Sequence, residues 1–297
     1  MPSTVAKQSR CSHVCKPQHG GAWGCGSPLI YRLVALPFLE MGMAVAIVGY
    51  RTYPCGDVRL QTLDLEVAAS ELAQQYPELC QEPTEIGVVV MGHSSGAHIT
   101  LLMISEWTRR KMASLEAKVK NGNTCSSSTK TATPEMRVDI YVGISGPYNI
   151  SHHFDYEASR GLEEISPLKP TFYFTREEFR KHSPALNIVE SMSEWSSECQ
   201  IRALDNLFPR MLFMHGIEDD IVPFTSSAEA AYLLRGCGVT KLEEVYLART
   251  RHNDCAVQLM VGGQVRDVLV DWLEHIPHQQ STGSPHDDKR VILQSRL

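Results

Sequence analysis

The chain has 297 residues, 43% of them hydrophobic, and a formal net charge of -6 at pH 7. This length and apolar content suffice for the core of one large α/β domain, and the scattered charges form no basic stripe for nucleic acid or an anionic membrane surface. No apolar run approaches the roughly 20 residues that span a bilayer, and the first ten residues lack the apolar stretch of a signal peptide. The sequence therefore predicts a globular cytoplasmic protein.

Apolar runs typical of buried strands alternate along the chain with amphipathic segments typical of helices. In chain order, the predicted elements are strand 43–50, helix 61–75, strand 85–92, helix 97–118, strand 137–146, strand 210–216, helix 226–235, strand 242–248 and helix 263–275. Continuous apolar strands alternating with helices favour a mostly parallel sheet that helices cover on both faces. The expected fold class is α/β.

Two segments interrupt this alternation. Residues 120–134 are polar and low in complexity, which indicates a flexible surface insertion. Residues 148–209 lie where a short connection would suffice, and their Ser, Pro and aromatic content fits either a cap over a substrate pocket or a decorative insertion. Residues 277–297 are expected to form a polar tail.

The cysteines indicate reduced thiols, because the chain has nine of them and an odd number cannot pair fully. Cys11, His13 and Cys15 resemble half of a zinc site, but no second cluster follows at ligand spacing. We therefore expect no metal.

The pattern Gly-x-Ser-x-Gly runs from Gly92 to Gly96, between a predicted strand and a predicted helix. A nucleophile elbow holds its serine in a strained turn, and small residues on either side let strand and helix pack closely. Ser94 would then lie at a helix N-terminus, where the main-chain N–H of Ser95 can donate to an oxyanion. A glycine-rich turn that merely joins strand to helix is the alternative.

A serine nucleophile needs a base and a carboxylate, and both follow in the chain order Ser, Asp, His. Asp219 and Asp220 come just after strand 210–216, and His252 comes just after strand 242–248. Because sites in open parallel sheets lie at the carboxyl ends of the strands, these side chains are expected near Ser94. The residues alone leave Asp219 and Asp220 as alternatives.

Consecutive glycines in "HGGAWGCG", residues 19–26, can bring main-chain N–H groups close to a substrate carbonyl. Gly21 and Ala22 are therefore candidate oxyanion donors, together with Ser95.

Five motifs carry a resemblance to a known family: "HGGAWGCGSP", "YRTYP", "GHSSGAHI", "HGIEDDIVP" and "RHND". Together they resemble the α/β-hydrolase esterases of the HGGxW group, which includes carboxylesterases, kynurenine formamidase and isoprenylcysteine methylesterase-like proteins. The stretch "GISGPYNISHHFDYEASRGLEEISP" with "HSPALNI" is most similar to the last branch. The resemblance covers residues 18–276, which we expect to form the α/β-hydrolase domain.

The resemblance implies that Ser94 is the nucleophile, His252 the base and Asp219 the orienting acid, since the pattern HGxxDxxVP places its aspartate at Asp219. The implied reaction is ester hydrolysis through an acyl-enzyme, with no metal or cofactor. His252 must be neutral to act as a base, so activity is expected to fall below roughly pH 6 to 6.5.

Three functions are open at this point. The first is a carboxylic-ester hydrolase for hydrophobic substrates, such as a prenylcysteine methyl ester; the second is an arylformamidase; the third is a hydrolase-fold protein that binds a small ligand without turnover. Aromatic side chains in the expected cap could line a hydrophobic site or form the cap's own core. They are Phe154, Tyr156, Phe172, Tyr173 and Phe174.

Residues 1–17 depart from the family, in which a central apolar strand precedes the His-Gly-Gly loop. Here Val14 is the only aliphatic residue in the segment just before the loop, and Pro17 cannot donate to a ladder. The sequence therefore predicts a gap beside the strand at residues 85–91 and poor anchoring of residues 20–22, which carry the candidate oxyanion donors. It also predicts an unstable, aggregation-prone and weakly active protein, as in a truncated or alternatively spliced form. A short irregular strand is the alternative.

Overall fold

The computed structural model of the chain describes residues 5–6, 14–80, 87–120, 136–192, 204–276 and 291–294. The strands are β1 (Val5–Ala6), β2 (Val14–Gln18), β3 (Ala44–Ala46), β4 (Val88–His93), β5 (Ile140–Ile144), β6 (Arg210–Gly216), β7 (Leu242–Leu247) and β8 (Val291–Gln294). The helices are α1 (Ala35–Glu40), α2 (Val58–Gln75), α3 (Ser95–Lys120), α4 (Ile150–Ser159), α5 (Leu168–Thr171), α6 (Arg176–Lys181), α7 (Pro184–Met192), α8 (Thr225–Gly236), α9 (His252–Val261) and α10 (Gln264–Glu274). Short 3-10 helices span Ile30–Val34 and Pro77–Cys80.

The described strands form one sheet in the order β1-β3-β2-β4-β5-β6-β7-β8, and every pair in it is parallel except β1 with β3. Side chains alternate across β4, because successive residues of a strand point to opposite faces. Val88 and Val90 belong to the core beneath α2, α3 and α8, whereas Val89 and Met91 belong to the core beneath α1, α9 and α10. The predicted α/β fold is confirmed.

The gap that the sequence predicts beside β4 does not exist. Strand β2 lies between β3 and β4 and pairs in parallel with both, from Val14 opposite Val88 to Gln18 opposite Gly92. Main-chain groups make this ladder, so it does not require a row of aliphatic side chains. Cys15 is fully buried, and the buried Gln18 accepts a hydrogen bond from Thr100 Oγ1 at 3.1 Å. These contacts take the place of the expected apolar strand.

Several described elements lie where the sequence predicts none, among them α9 and β8. Helix α9 begins at His252, directly after the loop that follows β7, and β8 pairs in parallel with β7 within the expected polar tail. Except for residue 120, the end of α3, the expected insertion 120–134 lies outside the described residues.

Helices α4 to α7 lie between β5 and β6, within the segment for which a cap is one expectation. Several polar contacts join this segment to the rest of the chain, and two of them involve α4 and α6. Arg59 on α2 pairs with Glu178 on α6 at 2.9 Å, and the Tyr156 hydroxyl donates to the Asp220 carbonyl at 2.9 Å. None of the helices that the structure describes combines the length and the apolar character that crossing a bilayer demands.

Candidate active site

Ser94 occupies a sharp turn between β4 and α3, with φ at +54°. A Cβ on Gly92 would lie 2.4 Å from the carbonyl of Gly96, and a Cβ on Gly96 would lie 2.4 Å from the carbonyl oxygen of His19. Glycine is therefore required at both positions. The main-chain N–H of Ser94 donates to the carbonyl of Ile144 on β5 at 2.8 Å, which fixes the turn to the sheet. This geometry is that of a nucleophile elbow.

The side chains of Ser94, His252 and Asp219 form one hydrogen-bonded chain. His252 Nδ1 lies 2.7 Å from Asp219 Oδ2, and His252 Nε2 lies 2.9 Å from Ser94 Oγ. A carboxylate accepts only, so Nδ1 carries the proton and Nε2 is free to accept from the Ser94 hydroxyl. All three residues are at most 6% exposed. The structure thus brings together the predicted serine, histidine and first aspartate, while Asp220 is exposed.

Several donors hold the Asp219 carboxylate in place. Its Oδ1 accepts from the main-chain N–H groups of Ile221 at 3.0 Å and Val222 at 2.8 Å, and its Oδ2 lies 3.2 Å from His215 Nε2. Burial alone would raise the pKa of this carboxyl, but the hydrogen bonds from His215 and His252 keep the pKa well below its ordinary value. Asp219 is therefore ionised at neutral pH.

The loop after β2 turns sharply beside Ser94. Gly21, Ala22 and Trp23 have φ values of +140°, +46° and +60°, and the Gly21 carbonyl accepts from the N–H groups of Gly24 and Cys25 at 3.0 Å each. Left-handed residues in succession expose the main chain on one side of the loop. We call residues 20–25 the oxyanion loop.

The three predicted oxyanion donors lie on two segments that meet at Ser94. In the part of the chain that the structure describes, the main-chain N–H groups of Gly21 and Ala22 have no protein acceptor. Ser95 is the first residue of α3, so its N–H has no partner within that helix. Unpaired donors at a helix N-terminus and a left-handed turn can bind developing negative charge.

The buried side chain of Trp23 anchors the oxyanion loop in the hydrophobic core. Its ring is 1% exposed, its Nε1 donates to His98 Nδ1 at 3.3 Å, and its ring centroid lies 5.0 Å from that of Phe172. Its carbonyl accepts from the Tyr53 N–H at 2.8 Å and from Gln61 Nε2 at 3.0 Å. The predicted weak anchoring of this loop is therefore wrong, because side-chain burial and hydrogen bonds from other segments hold it.

The five aromatic residues in the expected cap have different surroundings. Phe172 is fully buried and Phe154 and Tyr173 pack against the same core, whereas Phe174 is exposed. The hydroxyl of Tyr156 binds the carbonyl of Asp220, the residue that follows Asp219. For Phe172, Phe154 and Tyr173 the core interpretation fits.

Three histidines near the site are buried and neutral. Burial lowers the pKa of His93 and of His98 to about 3 and the pKa of His153 to about 4. Apart from the position of His93 inside the Gly-x-Ser-x-Gly motif, no sequence pattern indicated that these histidines lie near the site. His215 and Tyr31, which also contact site residues, were not expected either.

The described part of the chain contains no cluster of three or more His, Cys, Asp or Glu side chains able to hold a metal ion. Cys11 and His13 of the zinc-like motif lie outside the described residues, and Cys15 is a buried free thiol.

The parallel sheet and the residues at its carboxyl edge define the class of fold, which is that of the α/β-hydrolases. The profile of the BD-FAE family matches residues 7–234, which is well over half of the chain. The chain belongs to the BD-FAE family.

Similar proteins fall into two groups. The chain is 26% identical over 285 residues to a probable isoprenylcysteine alpha-carbonyl methylesterase of Oryza sativa subsp. japonica, covering 94% of this chain and 60% of that protein. It is 32% identical over 92 residues to the kynurenine formamidase of Danio rerio, covering 31% of this chain and 29% of that protein. The chain spans 53% to 60% of the length of the methylesterases it matches.

Among solved structures, esterase B from Lactobacillus rhamnosis superposes with a TM-score of 0.64 and 14% sequence identity, covering 90% of this chain and 76% of that one. This likeness concerns the fold.

We expect acidification below pH 6.5 to destabilise the protein. In the unfolded chain, His93, His98 and His153 bind protons near the ordinary histidine pKa of 6.5. In the folded chain the pKa falls to about 3 for His93 and His98 and to about 4 for His153. Because the unfolded state binds more protons in this window, stability rises with pH across it. Each histidine contributes about 1.4 kcal/mol per pH unit. The free energy of unfolding measured in urea should therefore be roughly 3 to 4 kcal/mol lower at pH 5 than at pH 6. A constant free energy of unfolding would contradict this expectation.

We expect Asp219→Asn to lower kcat for p-nitrophenyl acetate by roughly 10,000-fold, because an amide stabilises the wrong tautomer of His252. Asp220→Asn is the matched control and should stay close to wild type, since Asp220 is exposed and binds the Tyr156 hydroxyl through its main-chain carbonyl. A larger loss in the control than in Asp219→Asn would assign the carboxylate role to Asp220.

Proposed function

We propose that this chain hydrolyses carboxylic esters through an acyl-enzyme formed on Ser94. The observation that carries the proposal is the continuous chain of hydrogen bonds from Asp219 through His252 to Ser94 Oγ, at 2.7 Å and 2.9 Å. The serine is the residue held in the left-handed turn at the end of β4. Burial of all three side chains strengthens their electrostatic interactions.

In the proposed reaction, Ser94 Oγ attacks the ester carbonyl carbon while its proton passes to His252 Nε2. The negative charge that develops on the carbonyl oxygen is stabilised by the N–H groups of Gly21, Ala22 and Ser95. Collapse of the tetrahedral intermediate expels the alcohol, which takes the proton from His252. A water molecule then gives a proton to His252 and attacks the acyl group, and the carboxylic acid leaves as Ser94 regains its hydrogen.

Asp219 has two roles in this proposal. It holds the proton on His252 Nδ1 before the attack, and it stabilises the imidazolium that forms during it. The low pKa of Asp219 ensures that the carboxylate is charged throughout the pH range in which His252 can act as a base.

We propose a hydrophobic substrate and name a prenylcysteine methyl ester as the specific candidate. Apolar side chains are exposed on two segments next to the site: Leu29 and Ile30 follow the oxyanion loop, and Ile217 and Ile221 flank Asp219. Exposed apolar side chains around a polar site are typical of a surface that binds a hydrophobic ligand. Similarity to the methylesterase supports the same substrate class. The helices α4 to α7 would cap this site.

A second candidate function is hydrolysis of an N-formyl arylamine. It is supported by the 92-residue match to a kynurenine formamidase, and it would use the same attack by Ser94 with an amine as the leaving group. The third possibility, ligand binding without turnover, is disfavoured by the short distance between Ser94 Oγ and His252 Nε2.

We expect wild-type protein to hydrolyse p-nitrophenyl butyrate and to react with a fluorophosphonate at Ser94. Ser94→Ala and His252→Ala should each lower kcat by roughly 10,000-fold or more, since members of a triad act as one unit. Ser70→Ala, on helix α2, is the control and should keep full activity. Near-normal turnover in a folded Ser94→Ala variant would refute the assignment.

We expect kcat/KM for a prenylcysteine methyl ester to exceed that for S-methylcysteine methyl ester by roughly 100-fold, because each buried CH₂ group contributes about 0.8 kcal/mol. N-formylkynurenine should be the poorer substrate in the same assay. If N-formylkynurenine is preferred, the arylformamidase function replaces the first. If none is turned over while a prenylcysteine ligand still binds, the protein is a binding module.

A further inference from the structure

The ring of His93 lies between three parts of the site. Its Nε2 is 3.1 Å from the carbonyl oxygen of His252, and its Nδ1 is 3.0 Å from the hydroxyl of Tyr31. Its centroid is 4.9 Å from that of the His252 ring. A Cβ on Gly20 would lie 2.9 Å from His93 Nδ1 and 2.9 Å from Ser94 Cβ, so the His93 ring also packs directly against the oxyanion loop.

The hydrogen-bond partners define the tautomer of His93. A carbonyl oxygen accepts only, so Nε2 must donate to the main chain of His252. Burial keeps the ring neutral, with a pKa of about 3, so Nδ1 has no proton and accepts from the Tyr31 hydroxyl.

These contacts form one directional chain: the Tyr31 O–H donates to His93 Nδ1, and His93 Nε2–H donates to the His252 carbonyl. Because the His93 ring also packs against Gly20, this chain of hydrogen bonds connects the oxyanion loop to the main chain of His252 without passing through Ser94. Because His93 is only 5% exposed, burial limits the competition of water for the hydrogen bonds of its ring.

We propose that Tyr31 and His93 are positioning residues that hold the His252 main chain and the oxyanion loop in a common alignment on Ser94. The proposal rests on the esterase function above, because only acyl transfer needs the base and the oxyanion donors at one carbonyl group together. Neither side chain exchanges a proton with the substrate. A small displacement of either partner lowers the rate of the chemical step more than it lowers substrate binding.

The test is Tyr31→Phe, which removes one hydroxyl and keeps the ring. Its kcat for p-nitrophenyl butyrate should fall roughly 10- to 100-fold, with KM changed by less than about twofold and Tm within about 2 °C of wild type. Tyr232→Phe, at a tyrosine that is 76% exposed, is the matched control and should leave all three values unchanged. An unchanged kcat in Tyr31→Phe would overturn the proposal, as would a loss that follows a lower Tm.

Rescue at position 93 is a second readout. The amide of His93→Gln can still donate to the His252 carbonyl, whereas the side chain of His93→Leu cannot. The kcat of His93→Gln should therefore be at least about tenfold higher than that of His93→Leu. Because the two residues belong to the same chain of hydrogen bonds, adding Tyr31→Phe to His93→Leu should lower kcat little further. Equal kcat in His93→Gln and His93→Leu, or additive losses, would contradict the mechanism.

NMR of protein labelled with ¹⁵N-histidine separates this proposal from the proposed function, because it needs no turnover. The His93 signal, assigned with His93→Gln, should show a neutral ring with the proton on Nε2 at pH 7, and its Nδ1 shift should move in Tyr31→Phe. A proton on Nδ1, or a shift unaffected by Tyr31→Phe, would overturn the hydrogen-bond chain even in an active enzyme. A wild-type protein that cleaves no ester but gives the expected spectra would refute the esterase function alone.

Discussion

The left-handed turn at Ser94 is the constraint on which the geometry of the whole site depends. A non-glycine residue in this conformation costs about 1 to 3 kcal/mol and persists only where its surroundings leave no alternative. Here β4 lies between β2 and β5, and the Ser94 N–H is bound to the Ile144 carbonyl. Gly92 and Gly96 allow strand and helix to approach so closely that any side chain would collide. The sheet therefore fixes the serine, and the loops at neighbouring strand ends bring its partners to it.

Removal of the site from water determines its charges. Burial favours the neutral form of His93, and a positive charge on that ring, 4.9 Å from His252, would oppose the imidazolium that forms in acyl transfer. Asp219 stays charged because donors surround it: two main-chain N–H groups on Oδ1, and His215 and His252 on Oδ2. The fixed negative charge of Asp219 therefore lies at His252 Nδ1, and the neutral ring of His93 packs beside the His252 ring.

The sequence was sufficient for strands β3 to β7 and for the meeting of Ser94 and His252 with one of two aspartates, because motifs at strand ends carry a local signal and parallel strands bring those ends together. It did not predict that Tyr31 and His93 touch, since residues 62 positions apart share no local pattern. The choice of Asp219 over Asp220 followed from the resemblance alone. In the structure it depends on a tight turn, in which the N–H of Val222 binds Asp219 Oδ1.

The wrong expectation for the N-terminal segment shows what a central parallel strand has to supply. The side-chain pattern of this segment predicted a gap in the sheet. In the structure, β2 places Gln18 opposite Gly92, so the next residue, His19, lies beside the turn at Ser94. The His19 carbonyl fits against Gly96, and the Tyr50 hydroxyl binds that carbonyl at 3.0 Å and lies 3.2 Å from Ser95 Oγ. The register of β2 thus sets where the oxyanion loop begins relative to the helix that carries its third donor. Main-chain pairing provides that register, so a strand with few aliphatic residues can still place the loop, provided that its neighbours bury it.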